Sequence, residues 1–186
     1  MQSKSALFDQ LIQKTLDAGS DRAAVISSRE VVTDISFLEM CHANHCGMWG
    51  KCYTCPPDVG NIEDLIASLS LYSHVLVYQR VGALADSFDV DGMHEARRQS
   101  AALAQRLRPV FADLDLDTVL HLGPGACGVC SPCAKVTGEP CRHPNLAISS
   151  LEAYGINVSA LAKSASMPYI NGQNTVTYFG AVFFTE

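Results

Sequence analysis

Apolar and polar positions follow two different periods along the chain, and each period predicts a type of element. Near the amino end, Leu7, Leu11 and Ile12 recur at helical spacing before Gly19, which predicts an amphipathic helix that stops at the glycine. Short apolar runs rich in valine, leucine and aromatic residues predict buried strands. These runs are Ala23–Ser27, His74–Val81, Thr118–Gly123 and Thr175–Phe184.

Helical patterns lie between the predicted strands. They are Asp34–Met40 with Asp34 as cap, a segment capped by Asn61 that runs through Leu69, the long segment Asp91–Phe111, which Pro109 ends or kinks, and Ile148–Gly155 with Gly155 as C-cap. Strands that alternate with helices favour an α/β or compact α+β fold. We therefore expect one metal-binding domain over residues 1–186, with a small central mixed sheet, flanking helices and two cysteine-rich loops.

The candidate chemistry lies in those loops, because the eight cysteines form two groups of four separated by a cysteine-free stretch. Four thiolates complete a tetrahedral zinc site or a cubane iron–sulfur cluster. All eight are therefore candidate metal ligands, and the two loops are expected to meet at one end of the sheet. The first group is Cys41, Cys46, Cys52 and Cys55, and the second is Cys127, Cys130, Cys133 and Cys141.

The second group has the sharper pattern. Its C-x2-C-x2-C run from Cys127 to Cys133 is the spacing that bacterial ferredoxins use around a [4Fe–4S] cluster. Nearby glycines, Gly123, Gly125 and Gly128, let the chain curl so that backbone N–H groups face such a cluster. We expect an iron–sulfur cluster here, with zinc as the alternative, because structural zinc favours paired C-x2-C knuckles at closer separation.

The first group is less regular, with the order C-x4-C-x5-C-x2-C. Three of its thiols are enough to hold a cluster, and the pair Cys52 and Cys55 also has the spacing of a dithiol redox motif. Pro56 and Pro57 interrupt any helix beginning at Cys52, which argues against the dithiol interpretation. His42 and His45 flank Cys46 and are alternative ligands, although exposed loop histidines are the commoner case.

Composition narrows the functional classes. The chain of 186 residues is 48% hydrophobic, enough for a substantial core, and its formal net charge of −6 argues against a nucleic-acid surface. The amino-terminal segment lacks the basic region and apolar stretch of a signal peptide, and no apolar run is long enough to span a membrane. We therefore expect a cytoplasmic protein with reduced thiols, in which disulfides are disfavoured.

Other polar candidates have plainer interpretations. His121 lies in an apolar strand and is expected to be a satisfied core histidine, and His143 precedes a proline and is expected to act as a cap or cluster neighbour. Trp49 and Tyr53 either shield a cluster or simply pack. The arginines of the long helix predict a solvated face; they are Arg97, Arg98, Arg106 and Arg108.

Several of these segments together resemble a known family. They are Cys41, Cys46, Met48–Lys51 and Cys55–Pro57 in the first loop, then Cys127-x2-Cys130-x2-Cys133, Gly138–Pro144 and Glu152–Val158. This set resembles the family of predicted metal-binding proteins known as domain of unknown function 2284, over roughly Cys41 to the carboxyl end. The resemblance implies a metal centre, of the iron–sulfur type, in an anaerobic setting. The chain departs from this family pattern at Cys52, where the family usually has a small polar residue. The resemblance therefore implies Cys41, Cys46 and Cys55 as the ligands of the first centre.

Three functional classes remain open. The first is an iron–sulfur protein that carries electrons between one or two [4Fe–4S] clusters and a redox partner protein or small molecule. The second is an enzyme whose three-cysteine cluster leaves one iron open for substrate or sulfur chemistry. The third is an interaction domain held together by structural zinc. None of them involves nucleic acid or a membrane, and a homo-oligomer is compatible with each. The chain has no nucleotide-binding loop that would choose among them.

Overall fold

A five-stranded mixed sheet forms the centre of the molecule. The computed structural model describes residues 4–114, 116 and 118–186. The strands are β1 (Arg22–Ser27), β2 (His74–Ala83), β3 (Thr118–Gly123), β4 (Ser149–Ser150) and β5 (Thr175–Thr185). Their order across the sheet is β1-β2-β5-β3-β4, in which only β3 and β4 run parallel. The last long strand therefore occupies the middle of the sheet.

Within the described residues, five α-helices flank this sheet. They are α1 (Lys4–Asp17), α2 (Phe37–His42), α3 (Ile62–Ser68), α4 (Val90–Ala112) and α5 (Val158–Ser164). One-turn 3₁₀-helices occur at Ser28–Glu30, Leu69–Leu71, Ala134–Thr137, Pro144–Leu146 and Glu152–Tyr154. None of the helices within the described ranges is both long enough and apolar enough to cross a membrane.

The two faces of the sheet bury two separate hydrophobic clusters, as the alternation of side chains along a strand requires. On one face, Leu76 and Val182 pack with Leu11 of α1 and with Leu103 and Leu107 of α4. On the other face, the neighbouring strand positions pack against the α5 side of the molecule. That cluster includes Val75, Val77, Leu122, Ala181, Phe183, Leu151, Ile156 and Leu161. The sheet is thus covered on both sides by helices or turns, which confirms the predicted fold class.

All four predicted strands are present, with ends that differ by two residues at most. The amino-terminal helix is confirmed, and Gly19 follows it with a φ of +105°. Asn61 caps α3 as predicted, since its Oδ1 accepts hydrogen bonds from the backbone N–H groups of Glu63 and Asp64. These elements were predictable because their apolar spacing matches the face that they bury.

The predicted helix over Ile148–Gly155 was wrong. Ser149 and Ser150 instead form β4, which pairs with Leu122 and Gly123, and a single 3₁₀ turn follows at Glu152–Tyr154. The pairing extends the sheet at the end of β3, and this tertiary contact overrides the helical spacing. Gly155 does adopt the left-handed conformation expected of a C-cap, with a φ of +66°.

Two other helices differ from their predicted bounds, and one was missed. The Asp34 side chain does not cap α2, which begins at Phe37; its Oδ1 accepts from Ser36 N at 2.8 Å in the preceding turn. Pro109 lies in the last turn of α4 and does not end the helix. The sequence patterns also did not predict α5, whose cap is Asn157.

The sheet brings the two cysteine loops to neighbouring positions. The chain leaves β3 at Gly123 directly into the second loop and returns to the sheet at β4. The first loop begins in α2, which packs against the 3₁₀ turn Glu152–Tyr154 that follows β4. Backbone hydrogen bonds join the same segments, from Asp34 N to Gly155 O at 2.7 Å and from Asn157 N to Val32 O at 2.9 Å.

Candidate metal centre

The first cysteine loop is organised by tight turns. Cys41 lies in the last turn of α2, and the chain then reverses at Asn44, which has a φ of +56°. The Asn44 side chain accepts a hydrogen bond from Trp49 N at 2.9 Å, and Gly50 N donates to Pro56 O at 3.1 Å. These bonds fold the loop back on itself, so that residues distant along the loop become neighbours.

The second cysteine loop begins where β3 ends and is held from the side of α4. Gly125 adopts a φ of +63°, and the Arg97 guanidinium donates to Ala126 O at 3.0 Å immediately before Cys127. Cys133 precedes the 3₁₀-helix Ala134–Thr137, which ends at Gly138 with a φ of +74°. The left-handed conformation expected for the glycines near Cys127 is thus observed at Gly125, whereas Gly123 and Gly128 do not adopt it.

The two loops contact each other through polar side chains. The Tyr53 hydroxyl donates to Glu139 O at 2.6 Å, and the Lys135 ammonium pairs with the Asp58 carboxylate. The Lys135 Nζ also lies over the Tyr53 ring, 5.5 Å from its centroid. The expectation that the two groups of cysteines come together is therefore confirmed.

Cys52 and Thr54 form the inner part of this contact. The Thr54 Oγ1 lies 3.3 Å from the Cys52 Sγ and accepts a hydrogen bond from Cys127 N at 3.2 Å. The thiols of Cys55 and Cys133 also act on Cys52 and lower the pKa of its thiol. One threonine hydroxyl thus connects a cysteine of the first loop to the backbone that begins the second group.

The thiols of Cys52 and Cys55 shift each other's pKa in opposite directions. Because the Cys55 thiol donates to Cys52, the pKa of Cys52 is lowered, and the Thr54 hydroxyl and backbone and the Cys133 thiol add to that effect. The pKa of Cys55 is correspondingly raised, first by this hydrogen bond and then by burial. Cys52 is therefore the thiol of the pair that ionises first, which is the form that binds metal.

The remaining thiols of the first group, Cys41 and Cys46, also affect the pKa values in this loop. The charges of Cys46 and Cys41 act on Cys55 and help raise its pKa. Burial raises the pKa of Cys41, and the Glu152 carboxylate and Cys46 add to the effect. Glu152, in the 3₁₀ turn after β4, is therefore a carboxylate whose charge acts on Cys41.

In the second group, burial raises the pKa of Cys127, and the charges of Cys52 and Cys130 contribute to the shift. Neighbouring thiols therefore influence each other across the loop boundary as well as within one loop. Such an environment favours a bound cation, which offsets the mutual repulsion of several thiolates.

Accessibility differs strongly among the cysteines. Cys52 and Cys55 are only 1% and 8% exposed, whereas Cys46 is exposed and the others are partly buried. All eight are free thiols in the structure. As placed, no three His, Cys, Asp or Glu side chains within residues 4–114, 116 and 118–186 converge to hold a single metal ion. The donor set as a whole fits thiolate-binding metals, since it offers eight thiols in two contacting loops.

Most of the histidines have the packing and turn-forming roles that the sequence suggested. His42 and His45 are exposed, and the His42 ring packs edge-on against Trp49. His143 is the first residue of the Pro144–Leu146 turn, where its carbonyl accepts from Leu146 N at 3.0 Å. His121 accepts or donates at Nε2 to the Tyr78 hydroxyl at 2.8 Å, but its buried Nδ1 has no partner in the described part of the chain. The expected core histidine is therefore only half satisfied.

The predicted solvated arginine face holds for Arg98 and Arg106, which are exposed, whereas Arg97 and Arg108 are partly buried. Three of the four also bind neighbouring segments: Arg97 donates to Ala126 O in the second loop, Arg106 to Ala18 O, and Arg108 to Asn145 O. Arg98 pairs with Glu95 on the helix surface. Exposed carbonyls at the ends of neighbouring segments attract these guanidinium groups, and helical spacing alone does not reveal such partners.

Sequence reasoning also missed the residues that join the loops. Thr54 is an ordinary polar residue in sequence, and Asp58 and Lys135 are too far apart along the chain for any local pattern to pair them. A cavity of about 420 Å³ has no cysteine in its lining, which is formed by residues such as Arg108, Phe111, His121 and Pro144. A smaller one, of about 20 Å³, lies between α4 and the second loop and includes Cys127.

A small sheet that presents eight free thiols from two contacting loops defines a thiol-rich metal-binding protein. Comparison with known families agrees with this class. The chain belongs to the family of predicted metal-binding proteins, DUF2284, whose model matches residues 24–184. That span runs from β1 to β5 and includes all eight cysteines. No curated protein and no solved structure matches the chain significantly.

Proposed function

We propose that this metal-binding protein is an iron–sulfur protein that holds two [4Fe–4S] clusters, one in each cysteine group, and transfers single electrons. The observation that carries the proposal is the contact between the two loops at Thr54, whose hydroxyl lies 3.3 Å from the Cys52 Sγ and accepts a hydrogen bond from Cys127 N at 3.2 Å. Two clusters held by contacting loops would lie close together, which is the arrangement that electron transfer between them requires.

The donor set supports iron–sulfur over zinc. A tetrahedral zinc site brings four sulfurs within about 3.8 Å of each other, given Zn–S bonds of about 2.3 Å. In a cubane each thiolate binds a different iron, so the thiols are spread around the cluster, as a C-x2-C-x2-C loop spreads them. Hydrogen bonds to the sulfurs also tune the reduction potential of such clusters, and the Thr54 hydroxyl at Cys52 is positioned for this.

The exposure of the thiols supports an exchange of electrons with another molecule. Cys46 is exposed and Cys130 and Cys133 are only partly buried, whereas the Cys52–Cys55 pair is covered. A cluster in the second loop would thus be near the surface while the contact between the loops stays dry. We infer that a redox partner protein or a small molecule meets the protein at this side, in an anaerobic pathway.

A second candidate is an enzyme in which the first group supplies three thiolates and leaves one iron open. The position of Cys52 favours it, because this thiol lies 3.3 Å from the Thr54 hydroxyl, which accepts a hydrogen bond from Cys127 N of the other loop. A dithiol exchange function has less support. The attacking thiolate in such an exchange must be accessible, and Cys52 is 1% exposed.

The test uses protein purified without oxygen. Cys130→Ala and Cys133→Ala should each remove about half of the iron and acid-labile sulfide, since each would break one of two equal clusters. His45→Ala, at an exposed position of the first loop, is the matched control and should keep the full content. Unchanged iron in both cysteine variants would contradict the proposal, and loss in the control would assign a histidine ligand.

A further inference from the structure

We propose that the cavity of about 420 Å³ beside β3 is a binding site for a small organic monocarboxylate, held by the Arg108 guanidinium and by the Nδ1–H group of His121. This site goes beyond the electron transfer proposed above. It also does not depend on which metal the cysteines hold, since no cysteine is among its described lining residues.

The cavity lies along the edge of the sheet. β4 pairs with Leu122 and Gly123, beyond the stretch 119–121 of β3 that borders the cavity. The other walls are the last turn of α4 and the segment 144–147, which leads from the second cysteine loop to β4. The volume falls within the range of about 300–1,000 Å³ that is typical of small-molecule sites. Three elements therefore enclose enough space for an organic molecule.

Arg108 supplies a positive charge to this space. Its side chain is partly buried and donates to Asn145 O, which leaves further N–H groups of the guanidinium for a ligand. Within residues 4–114, 116 and 118–186, Arg108 forms no ion pair with a carboxylate. The described lining contains neither an acidic side chain nor a second lysine or arginine. A guanidinium matches the planar fork of a carboxylate, so a lone arginine favours an anion of single charge.

The Tyr78 hydroxyl determines which nitrogen of His121 carries the ring proton. The hydroxyl lies 2.8 Å from Nε2, and burial raises the pKa of Tyr78, so the hydroxyl keeps its hydrogen. In the described part of the chain, His121 Nε2 is the acceptor available to it. If Nε2 accepts, the neutral ring carries its hydrogen on Nδ1. The other tautomer would leave both the hydroxyl hydrogen and Nδ1 unpaired.

The Nδ1–H group of His121 therefore needs an acceptor. Nδ1 is buried and has no hydrogen-bond partner among the described residues. It lies across the imidazole ring from Nε2 and thus points away from Tyr78. A buried donor without an acceptor is unfavourable, and an oxygen of a bound carboxylate would satisfy it.

The rest of the lining favours an organic ligand over an inorganic anion. Phe111, Val119 and Ala147 give the cavity apolar walls. The Phe111 ring also packs edge-on against His121, with the ring centroids 6.0 Å apart. Apolar walls with a few polar groups that fix orientation are typical of sites for small organic molecules.

A first experiment titrates protein purified without oxygen with benzoate and with its neutral isostere benzamide, using calorimetry at neutral pH. Benzoate should bind saturably and benzamide about tenfold more weakly or less, because a hydrogen bond to a charged group contributes about tenfold or more in affinity. Arg108→Gln should weaken benzoate binding by a similar factor. Arg98→Gln, at an exposed position of the same helix, is the matched control and should not.

Three results of this titration would overturn the proposal. They are the absence of benzoate binding, equal binding of benzoate and benzamide, and binding of inorganic phosphate that is tighter than that of benzoate. The last result would indicate a site for an inorganic anion.

A second experiment narrows the cavity without changing its charge. Ala112→Leu, at the exposed end of α4, should weaken benzoate binding severalfold, because Ala112 lines the cavity. Ala102→Leu, at an exposed position of α4 that does not line it, is the control and should bind benzoate normally. Leucine is a good helix former, so both variants should fold. Equal affinity in the two variants would place benzoate elsewhere and contradict the proposal.

A third measurement reads the tautomer of His121 directly. Nitrogen-15 magnetic resonance of the histidine rings, with His121→Gln to assign the signal, should show hydrogen on Nδ1, and benzoate should shift that resonance. Hydrogen on Nε2, or no shift with benzoate, would refute the role of His121. These results are separate from the iron and sulfide content, so a failure of the iron–sulfur function and a failure of the carboxylate site are distinguishable.

Discussion

Thr54 shows how one side chain can set the geometry of a site without being a ligand. Its hydroxyl receives the Cys127 N–H and touches the Cys52 sulfur, and the residue is 8% exposed. Water does not replace a partner easily at such a position, so a missing hydroxyl leaves the Cys127 N–H unsatisfied. The local chemistry of Cys52 therefore depends on a residue that carries no sequence signal of its own.

Thr54→Val should lower the free energy of unfolding of the metal-free protein by about 1–3 kcal/mol, the usual cost of a buried unpaired donor. Thr54→Ser is the control, because it keeps the hydroxyl, and it should lose clearly less. Urea unfolding of the two variants measures the difference. Equal destabilisation would indicate that the methyl group, and not the hydrogen bond, holds the loops.

His121 is a buried histidine with a strong preference for its neutral form. Burial, with a smaller contribution from the charge of Arg108, lowers its pKa to about 3. In the unfolded chain its pKa returns to about 6.5. Between these values the unfolded chain binds one more proton than the folded protein, so stability is complete above about pH 6.5 and falls as the pH decreases towards 3.

His121→Gln should therefore flatten the pH dependence of stability between pH 7 and 5, where the wild-type protein loses up to about 1.4 kcal/mol per pH unit through this residue. His94→Gln, at an exposed site on α4, is the control and should leave the slope unchanged. Urea unfolding of the metal-free proteins at several pH values measures both slopes. An unaltered slope in His121→Gln would show that His121 binds its proton equally in both states.

At the scale of elements, β2 and α4 approach each other closely, and a glycine makes this approach possible. A Cβ added at Gly82 would lie 2.4 Å from the Cβ of Ala96. Ala96 is 4% exposed and has no flexible side chain that could move aside. The helix α4, which contacts the second cysteine loop through Arg97, therefore packs on the sheet at two small residues, Gly82 and Ala96.

Gly82→Ala should move α4 away from the sheet and cost about 1–3 kcal/mol, as overpacking does. Gly128→Ala is the comparison, because no atom lies within 4 Å of the added Cβ and the backbone there is not left-handed. Thermal unfolding of the metal-free variants should show a clear loss for the first and little change for the second. A tolerated Gly82→Ala would mean that the helix adjusts freely.

The elements also show how far the sequence could predict this structure. The strands β2 and β5 were predictable because their long apolar runs have the pattern that is typical of buried strands. The central position of β5 was not, since strand order depends on which edges meet in space. β4 is two residues long and exists only through its pairing with β3. The cysteines identified the site by their chemistry, whereas the hydrogen bond from Cys127 N to Thr54, beside Cys52, depends on tertiary structure that spacing does not encode.

At the scale of the whole molecule, the two hydrophobic clusters and the metal site stabilise different parts of the fold. The clusters pack the two faces of the sheet against helices and turns, and no cysteine belongs to either of them. The cysteine loops are instead joined by a few polar contacts, among them the pair of Lys135 and Asp58. Metal bound by thiols of both loops would add a stronger link between them.

Removal of the metal should therefore loosen the loops and leave the sheet folded. In hydrogen exchange, the segments 41–60 and 123–144 should lose protection after chelation, while β2 and β5 keep theirs. The midpoint of thermal unfolding should also fall, because ligand that binds only the folded state stabilises it. Loss of protection throughout the sheet would instead show that metal is required for the whole fold.

The most direct test of the iron–sulfur account is the metal and sulfide content of the unchanged protein, purified without oxygen. The account predicts iron and acid-labile sulfide in equal amounts, close to about eight of each per chain for two four-iron clusters, without stoichiometric zinc. Stoichiometric zinc with no labile sulfide would contradict it and would make the cysteine loops a structural zinc site.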